Sequence, residues 1–297
     1  MIGDIGTFLR RSVPPSLKAR LSARMKARLR AVLGIEKWPD LAVRHPLFRS
    51  AEYRRLREAA RAFDVEKPNK PVLERGHQAS FVVARWFRAS SVGRAFQVGY
   101  ANGRYLFYLS AVGIQCGGTD LPDAETAWVR VPEGVLDAVT RRRLLRVDFF
   151  RLTPADMAAV WAEPAPRPVS VLFSEATFET LLPWRAVGVS VPNYLAMDPG
   201  ERHALMHEHF PRKLEELKDT VRNMLFIEPE PNAGGAGAAF EACARRLPDR
   251  AYSVWGFRRP LDRLFRLSPH HPTRQTIYAF TRDECLLDGL RAYADPL

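Results

Sequence analysis

Cysteines and long apolar runs are both scarce in this sequence. The 297 residues include three cysteines, Cys116, Cys243 and Cys285, which lie far apart and show no metal-ligand spacing. An odd, scattered set excludes a disulfide-built scaffold and favours a reducing compartment. No apolar run approaches the roughly 18 residues that a membrane-spanning helix needs, and the first residues lack the apolar region of a secretory signal. We therefore expect a cytoplasmic protein with no transmembrane segment and no bound metal.

Acidic residues are missing from the N-terminal stretch. Residues 5–35 contain eight Lys or Arg and no Asp or Glu, so the formal net charge of +12 falls to +4 when those 8 charges are subtracted. Ser16 suits a helix N-cap and Gly34 a helix end. A helix between them would align one apolar stripe, made of Leu17, Leu21, Met25, Leu29, Val32 and Leu33.

This basic amphipathic helix leaves several interpretations open. Residues 10–30 could lie on an anionic membrane surface, which would make the protein peripheral on a membrane, or they could grip RNA. An Arg-rich, acid-poor segment is also typical of an organelle presequence. The remaining alternative is a helix that packs its apolar stripe on the domain and leaves its charges in water.

Residues 94–122, RAFQVGYANGRYLFYLSAVGIQCGGTDLP, have the most informative pattern in the chain. A short apolar run leads into the glycine-punctuated turn from Gly99 to Gly103. Apolar residues then recur at helical spacing until Gly113, and a second short strand ends at Asp120. The pattern predicts strand, turn, helix, strand and acid. Such a unit brings the backbone and a helix N-terminus close to a ligand, and its acid can accept the hydroxyls of a ribose.

The spacing within the turn separates two kinds of cofactor site. A dinucleotide fingerprint needs glycines at positions 1, 3 and 6, and here only Gly99 fits, because Ala101 and Arg104 occupy the other two. Small residues instead occupy positions 1, 3 and 5. The segment VGYANGRYLFYLSAVG thereby resembles the first motif of class I S-adenosylmethionine (SAM)-dependent methyltransferases. One residue departs from that family, because Gln97 stands where an acid is usual.

The resemblance implies SAM as cofactor and a set of binding residues. Asp120 falls where the family places its ribose-binding acid. Asp148 and Phe149, at the end of a predicted third strand over residues 144–147, fall where the family contacts the adenine ring. The expected cofactor-binding residues are therefore Gln97, Gly99, Tyr100, Ala101, Asn102, Gly103, Asp120, Leu121, Asp148, Phe149 and Ser174.

The fold expected from this resemblance is α/β. It is a Rossmann-like seven-stranded sheet with helices on both faces, its last strand antiparallel, plus an N-terminal helical extension. Further strands are predicted over residues 169–173, 224–227, 251–257 and 275–281. We expect residues 1–71 to form the basic extension and a linker, and residues 72–297 the methyltransferase domain. Residues 181–220 exceed a minimal connection and suggest a lid-like insertion.

The chemistry is expected beyond the fourth strand, since ligands bind at the carboxyl ends of strands in open α/β sheets. Candidate general bases are Glu175, Glu179, His207 and His209. His203 and His207 share a helix face, but no HExxH motif is present. The Asn/Asp-Pro-Pro-aromatic signature of amino methylases is also missing.

The predicted function is methyl transfer from SAM to a nucleophile of a small-molecule acceptor. Three alternatives stay open. An RNA methyltransferase would use the basic extension to hold phosphates, and a catalytically inactive SAM-fold binding protein would account for Gln97. A nicotinamide oxidoreductase is disfavoured by Ala101 and Arg104.

Overall fold

The computed structural model describes residues 46–64, 70–121, 131–161, 169–175, 197–229, 252–255 and 275–293. The predicted helix over residues 17–33, the candidate partner segment 10–30, Glu179 and the part of the predicted insertion before residue 197 lie outside the described residues. No helix in the described ranges is long and apolar enough to cross a membrane.

The described strands form one mixed sheet of seven strands in the order β3-β2-β1-β4-β5-β7-β6. The strands β1 to β5 run parallel, and β7 is inserted antiparallel between β5 and β6. The predicted α/β architecture with a mixed sheet is therefore confirmed. The strand bounds are β1 Arg94–Val98, β2 Gln115–Thr119, β3 Leu144–Leu145, β4 Val169–Glu175, β5 Val221–Pro229, β6 Tyr252–Trp255 and β7 Gln275–Phe280.

Helices connect the strands and begin at recognisable caps. Ser50 caps the first helix by accepting a hydrogen bond from the Tyr53 N–H, and Asp198 caps the sixth in a capping box with Glu201. Two 3₁₀ helices, Pro46–Arg49 and Ala60–Asp64, flank the first α-helix. The α-helices are α1 Ala51–Ala59, α2 Lys70–Ala89, α3 Arg104–Ala111, α4 Ala138–Arg142, α5 Pro154–Trp161, α6 Pro199–Leu217 and α7 Glu284–Tyr293.

The sheet separates two hydrophobic cores, because successive side chains of a strand point to opposite faces. On β1, Ala95 belongs to the core that contains Phe81 of α2 and Leu106 of α3. Phe96 belongs to the other core, with Met157 of α5 and Phe210 of α6. Helices therefore cover both faces of the sheet, as predicted.

Residues 46–64 pack on the first of these cores. Tyr53 and Phe63 are buried there, and the Tyr53 ring centroid lies 5.1 Å from that of Phe81. The helix α2 begins at Lys70, so Pro71 lies in its first turn, where proline is tolerated. By packing, this segment belongs with the sheet, whereas a division of the chain at residue 71 stays a prediction.

Several strands differ in length from the sequence prediction. The fourth strand continues to Glu175, so Ser174 and Glu175, which were expected beyond the strand, are its last two residues. The third strand has two residues instead of four, because the chain leaves the sheet to form the turn at Asp148. The fifth strand extends to nine residues, since it pairs with β4 on one side and β7 on the other.

Candidate cofactor-binding site at the ends of the parallel strands

The carboxyl ends of β1, β2 and β4 meet at one edge of the sheet. The strand order places β1 between β2 and β4, so connections leave β1 and β4 in opposite directions across the sheet. This reversal is the place where open α/β sheets bind ligands. Three predicted residues, Gly99, Asp120 and Ser174, lie at the ends of these strands.

The turn after β1 alternates left-handed residues. The φ angles of Gly99, Ala101 and Gly103 are +70°, +48° and +79°. These residues are positions 1, 3 and 5 of the motif. Small residues are needed there because a positive φ angle brings a larger side chain into conflict with the backbone. A left-handed conformation costs a residue with a Cβ roughly 1–2 kcal/mol, which only Ala101 bears. Such alternation can turn backbone N–H groups towards one side, where an anion or polar ligand can approach.

Asp120 ties this turn to the end of β2. Its Oδ2 accepts a hydrogen bond from the Ala101 N–H at 2.6 Å, and its Oδ1 accepts one from the Leu121 N–H at 2.8 Å. The Gly99 N–H also donates to the Thr119 carbonyl at 2.9 Å. A carboxylate has about four lone-pair sites, so two hydrogen bonds leave acceptor capacity for a ligand. The predicted order of strand, turn, helix, strand and acid is confirmed.

Partial burial raises the pKa of Asp120, against its two backbone hydrogen bonds and the nearby Arg146 guanidinium, which favour the charged form. Arg146 lies with its guanidinium carbon 5.3 Å from the Tyr100 ring centroid and donates to the Leu121 carbonyl at 3.4 Å. Sequence reasoning missed Arg146, because its proximity to Tyr100 depends on the pairing of β2 with β3.

The buried side chain of Tyr100 packs beneath the turn, against Gly118 of β2. Its side chain is 3% exposed, and burial raises the pKa of its hydroxyl to about 12. A Cβ at Gly118 would lie 3.2 Å from Tyr100 Cδ1 and 2.9 Å from the Gln97 carbonyl oxygen. Gly118 therefore leaves room for the tyrosine, a role that sequence reasoning missed although a glycine inside a strand signals such close approach.

Gln97 is a buried polar side chain next to the turn. It is 3% exposed, and its Nε2 donates a long hydrogen bond of 3.4 Å to the Gly99 carbonyl. Its Oε1 has no hydrogen-bond partner among the described residues. A buried acceptor left in this way costs about 1–3 kcal/mol, which a donor from a ligand would recover.

Asp148 and Phe149, which follow β3, contact other residues of the protein. Asp148 Oδ1 accepts from the Phe150 N–H at 2.8 Å and so shapes the turn that leads to α5. Phe149 is buried in the second core, with its ring centroid 6.1 Å from that of Phe210. The adenine contacts expected of Asp148 and Phe149 stay predictions.

The catalytic candidates are spread over two elements. Glu175 is the last residue of β4, and Ser174 beside it is fully buried, with no partner for its Oγ among the described residues. His207 and His209 both lie on α6, and His209 is partly buried. Since His209 is ten residues into the helix, it lies about 15 Å along the axis from the first residue. The catalytic roles of these residues stay predictions.

A further basic residue, Arg104, lies at the start of α3 and was not predicted to bind ligand. Its guanidinium lies over α2, where a Cβ at Gly76 would be only 2.2 Å from the nearest guanidinium nitrogen. Its Nε donates to Ser80 Oγ at 3.4 Å. No signal within the sequence pairs residues 28 positions apart on two helices.

No protein-family model matches this chain, and neither does any curated protein. Solved methyltransferase structures show a distant similarity. Magnesium protoporphyrin IX methyltransferase ChlM from Synechocystis PCC 6803, with bound SAM, is 10% identical over 81% of this chain and 95% of its own, with a TM-score of 0.37. The O-methyltransferase TomG from Streptomyces achromogenes, also with SAM, is 10% identical over 76% and 88%, with a TM-score of 0.40.

Proposed function

We propose that this protein is a SAM-dependent methyltransferase with a small-molecule acceptor. One observation carries the proposal: the left-handed Ala101, at the middle of the 1-3-5 turn, donates its N–H to the acid that follows β2. A nucleoside cofactor needs these two parts together, because its ribose must reach the acid while its remaining atoms pass over the turn.

The residues present suit SAM in type and position. Asp120 has acceptor capacity for the ribose hydroxyls, and Gln97 has an unused buried acceptor beside the turn. Residues 99, 101 and 103 of the turn carry nothing larger than a methyl group, which leaves room for close backbone approach. When bound, SAM supplies a methyl group on a sulfonium that is already a good leaving group.

The chain's own contribution to such a reaction is placement. Holding an acceptor in line with the methyl group converts a bimolecular step into an effectively unimolecular one. A base is needed only where the acceptor must lose a proton, and Glu175 at the end of β4 is the candidate nearest to the strand reversal. His207, His209 and Glu179, the last outside the described residues, are the other candidates.

One observation favours an alternative, a SAM-fold binding protein without catalysis. The neutral Gln97 replaces the acid that is usual in the family that the motif resembles. Binding without turnover on any acceptor would support it. RNA methylation and membrane association depend on residues 10–30, which lie outside the described residues, and both stay predictions.

Calorimetry with S-adenosylhomocysteine and with NAD tests the proposal. We expect S-adenosylhomocysteine to bind and NAD to give no heat of binding. The opposite pattern would exclude a methyltransferase and restore the oxidoreductase alternative. The full-length variant Asp219→Ala is a suitable control. This exposed acid lies in the turn before β5, at the amino ends of the parallel strands and so away from the candidate site.

A further inference from the structure

The net charge of this protein is confined to the part of the chain before β1. Residues 1–89 contain 20 Lys or Arg and 8 Asp or Glu, whereas residues 90–297 contain 25 of each. The whole formal net charge of +12 therefore belongs to residues 1–89, and the remainder, which includes every strand of the sheet, is neutral. Net charge bears on association and not on the fold, so this imbalance indicates an anionic partner for the N-terminal part.

Within that part, the helix α1 lies antiparallel beside α2. Near the start of α1, Glu52 forms an ion pair with Arg85, which is near the end of α2. Near the end of α1, Arg57 donates to Glu74 at 2.8 Å, and Glu74 is in the second turn of α2. The apolar side of α1 is buried in the first core, so the opposite side of the helix faces solvent.

The exposed surface of α1 and its neighbours is strongly basic. In residues 46–64 and 76–89 the exposed charged side chains are one acid and five arginines, namely Glu58, Arg49, Arg54, Arg55, Arg61 and Arg88. The acid, Glu58, pairs with Arg61 at 2.6 Å. The other acid of α1, Glu52, is only half-buried but lies within ion-pair distance of both Arg85 and Arg88. The five exposed arginines define what we term the arginine face.

Arg54 and Arg55 supply the uncompensated charge of the arginine face. Both are exposed, and neither has an ion-pair partner within the described ranges. Guanidinium groups bind phosphate oxygens through paired hydrogen bonds and are more weakly hydrated than ammonium groups, so they lose less on contact with a phosphate. The two side chains are therefore suited to a phosphate-bearing surface.

The residues around these arginines favour an anionic bilayer over RNA. Single-stranded RNA is held by aromatic side chains on which its bases stack, yet every aromatic side chain whose exposure is described is buried or half-buried. The arginine face therefore has charge but no stacking platform. The sequence before it contains the apolar stripe of residues 17–33, which would add contact with a bilayer and little with RNA.

We propose that the arginine face binds an anionic phospholipid bilayer, with Arg54 and Arg55 at the headgroup phosphates. This contact lies on the folded part of the chain and is separate from residues 10–30. It is electrostatic, because the apolar side chains of α1 are already buried in the protein core. Since α1 packs on the core at one face of the sheet, the bilayer lies beside that face and leaves the carboxyl ends of the parallel strands open.

Vesicle sedimentation with the full-length protein tests this inference. Each basic residue near an anionic surface strengthens binding about fivefold, so Arg54→Gln combined with Arg55→Gln should weaken binding about 25-fold to phosphatidylcholine vesicles that contain roughly one-third phosphatidylserine. The matched control combines Arg142→Gln with Arg222→Gln, which removes two exposed arginines from α4 and β5. It should bind within about twofold of wild type, because charges more than about 10 Å from the lipid are screened at about 0.1 M salt.

The thermal unfolding midpoints of both double variants should match that of wild type, since all four side chains are exposed. If the Arg54 and Arg55 variant does not fold, Arg61→Gln combined with Arg88→Gln removes two other arginines of the same face and should weaken binding at least about fivefold. Equal binding by folded face variants and by the control would overturn the inference, as would equally strong binding of wild type to phosphatidylcholine alone. A wild-type protein that binds an RNA oligonucleotide and no vesicle would overturn it in favour of RNA. These measurements do not involve the cofactor, so their failure would leave the proposed function standing.

Discussion

Replacing Asp120 with alanine perturbs the centre of the candidate site. The carboxylate accepts from the N–H groups of Ala101 and Leu121, and the proposal adds ribose hydroxyls as further donors. A hydrogen bond to a charged group contributes about 1.5–3 kcal/mol. Loss of the ribose contact should therefore weaken S-adenosylhomocysteine binding by roughly 10-fold to 150-fold.

The same substitution affects the empty protein less. Two backbone N–H groups lose their acceptor, but Asp120 is only partly buried, so water can replace part of what is lost. We expect the free energy of unfolding to fall by about 1 kcal/mol, the lower end of the range for an unsatisfied donor. The protein should stay folded at 25 °C, which separates the binding effect from a stability effect.

Isothermal titration calorimetry of wild type, Asp120→Ala and Asp120→Asn measures the effect, with thermal unfolding followed in parallel. Asparagine keeps the shape and one acceptor oxygen but loses the charge, so its affinity should lie between the other two. The control Asp219→Ala should bind as wild type does. If Asp120→Ala is folded and binds S-adenosylhomocysteine as tightly as wild type, the ribose contact is wrong and the reasoning from the turn geometry fails.

Three further predictions concern packing, pH and the N-terminus. Gly118→Ala should cost about 1–3 kcal/mol of stability and weaken cofactor binding, because its Cβ would press on Tyr100, whereas Gly93→Ala should do neither. Burial lowers the pKa of His77, so the folded protein holds this imidazole neutral while the unfolded chain takes up a proton below about pH 6.5. The contribution of the neutral His77 to the free energy of unfolding is therefore present above about pH 6.5 and is lost as the pH falls towards 2. Urea titrations at a series of pH values give the free energy of unfolding of wild type and of His77→Gln. Below about pH 6.5 the plots of this free energy against pH should differ in slope by about 1.4 kcal/mol per pH unit. Parallel plots would show that the histidine is not buried neutral. Deleting residues 1–34 should reduce binding to anionic vesicles, by about 1 kcal/mol for each basic residue near the surface, and leave cofactor affinity unchanged. RNA tested beside the vesicles distinguishes the two anionic partners, and loss of cofactor binding would place this segment in the core.

Local patterns in the sequence were enough to predict the strand, turn, helix, strand and acid of the site. Each of these signals lies within a few residues. The small residues at 99, 101 and 103 reflect backbone torsion angles, and torsion angles are a local property. The position of Asp120 is also predictable from local patterns. The turn, the helix α3 and the strand β2 together determine how many residues separate Asp120 from Gly99.

The antiparallel insertion of β7 between β5 and β6 could be expected from the family resemblance, but no local pattern in the sequence contains it. Strand ends were less predictable, since β5 is extended by pairing with β7, a strand nearly fifty residues further along the chain. The role of the candidate bases stays a prediction.

The sequence by itself therefore determined the type of each element around the turn and the identity of the groups that we propose bind a nucleoside. Only the tertiary structure decided which distant residues support that turn. Gly118 makes room for Tyr100 because β1 and β2 pair in one register, and Arg104 lies over Gly76 because two helices pack side by side. Such contacts depend on burial and register between segments far apart in the chain, and neither is encoded in the spacing of neighbouring residues.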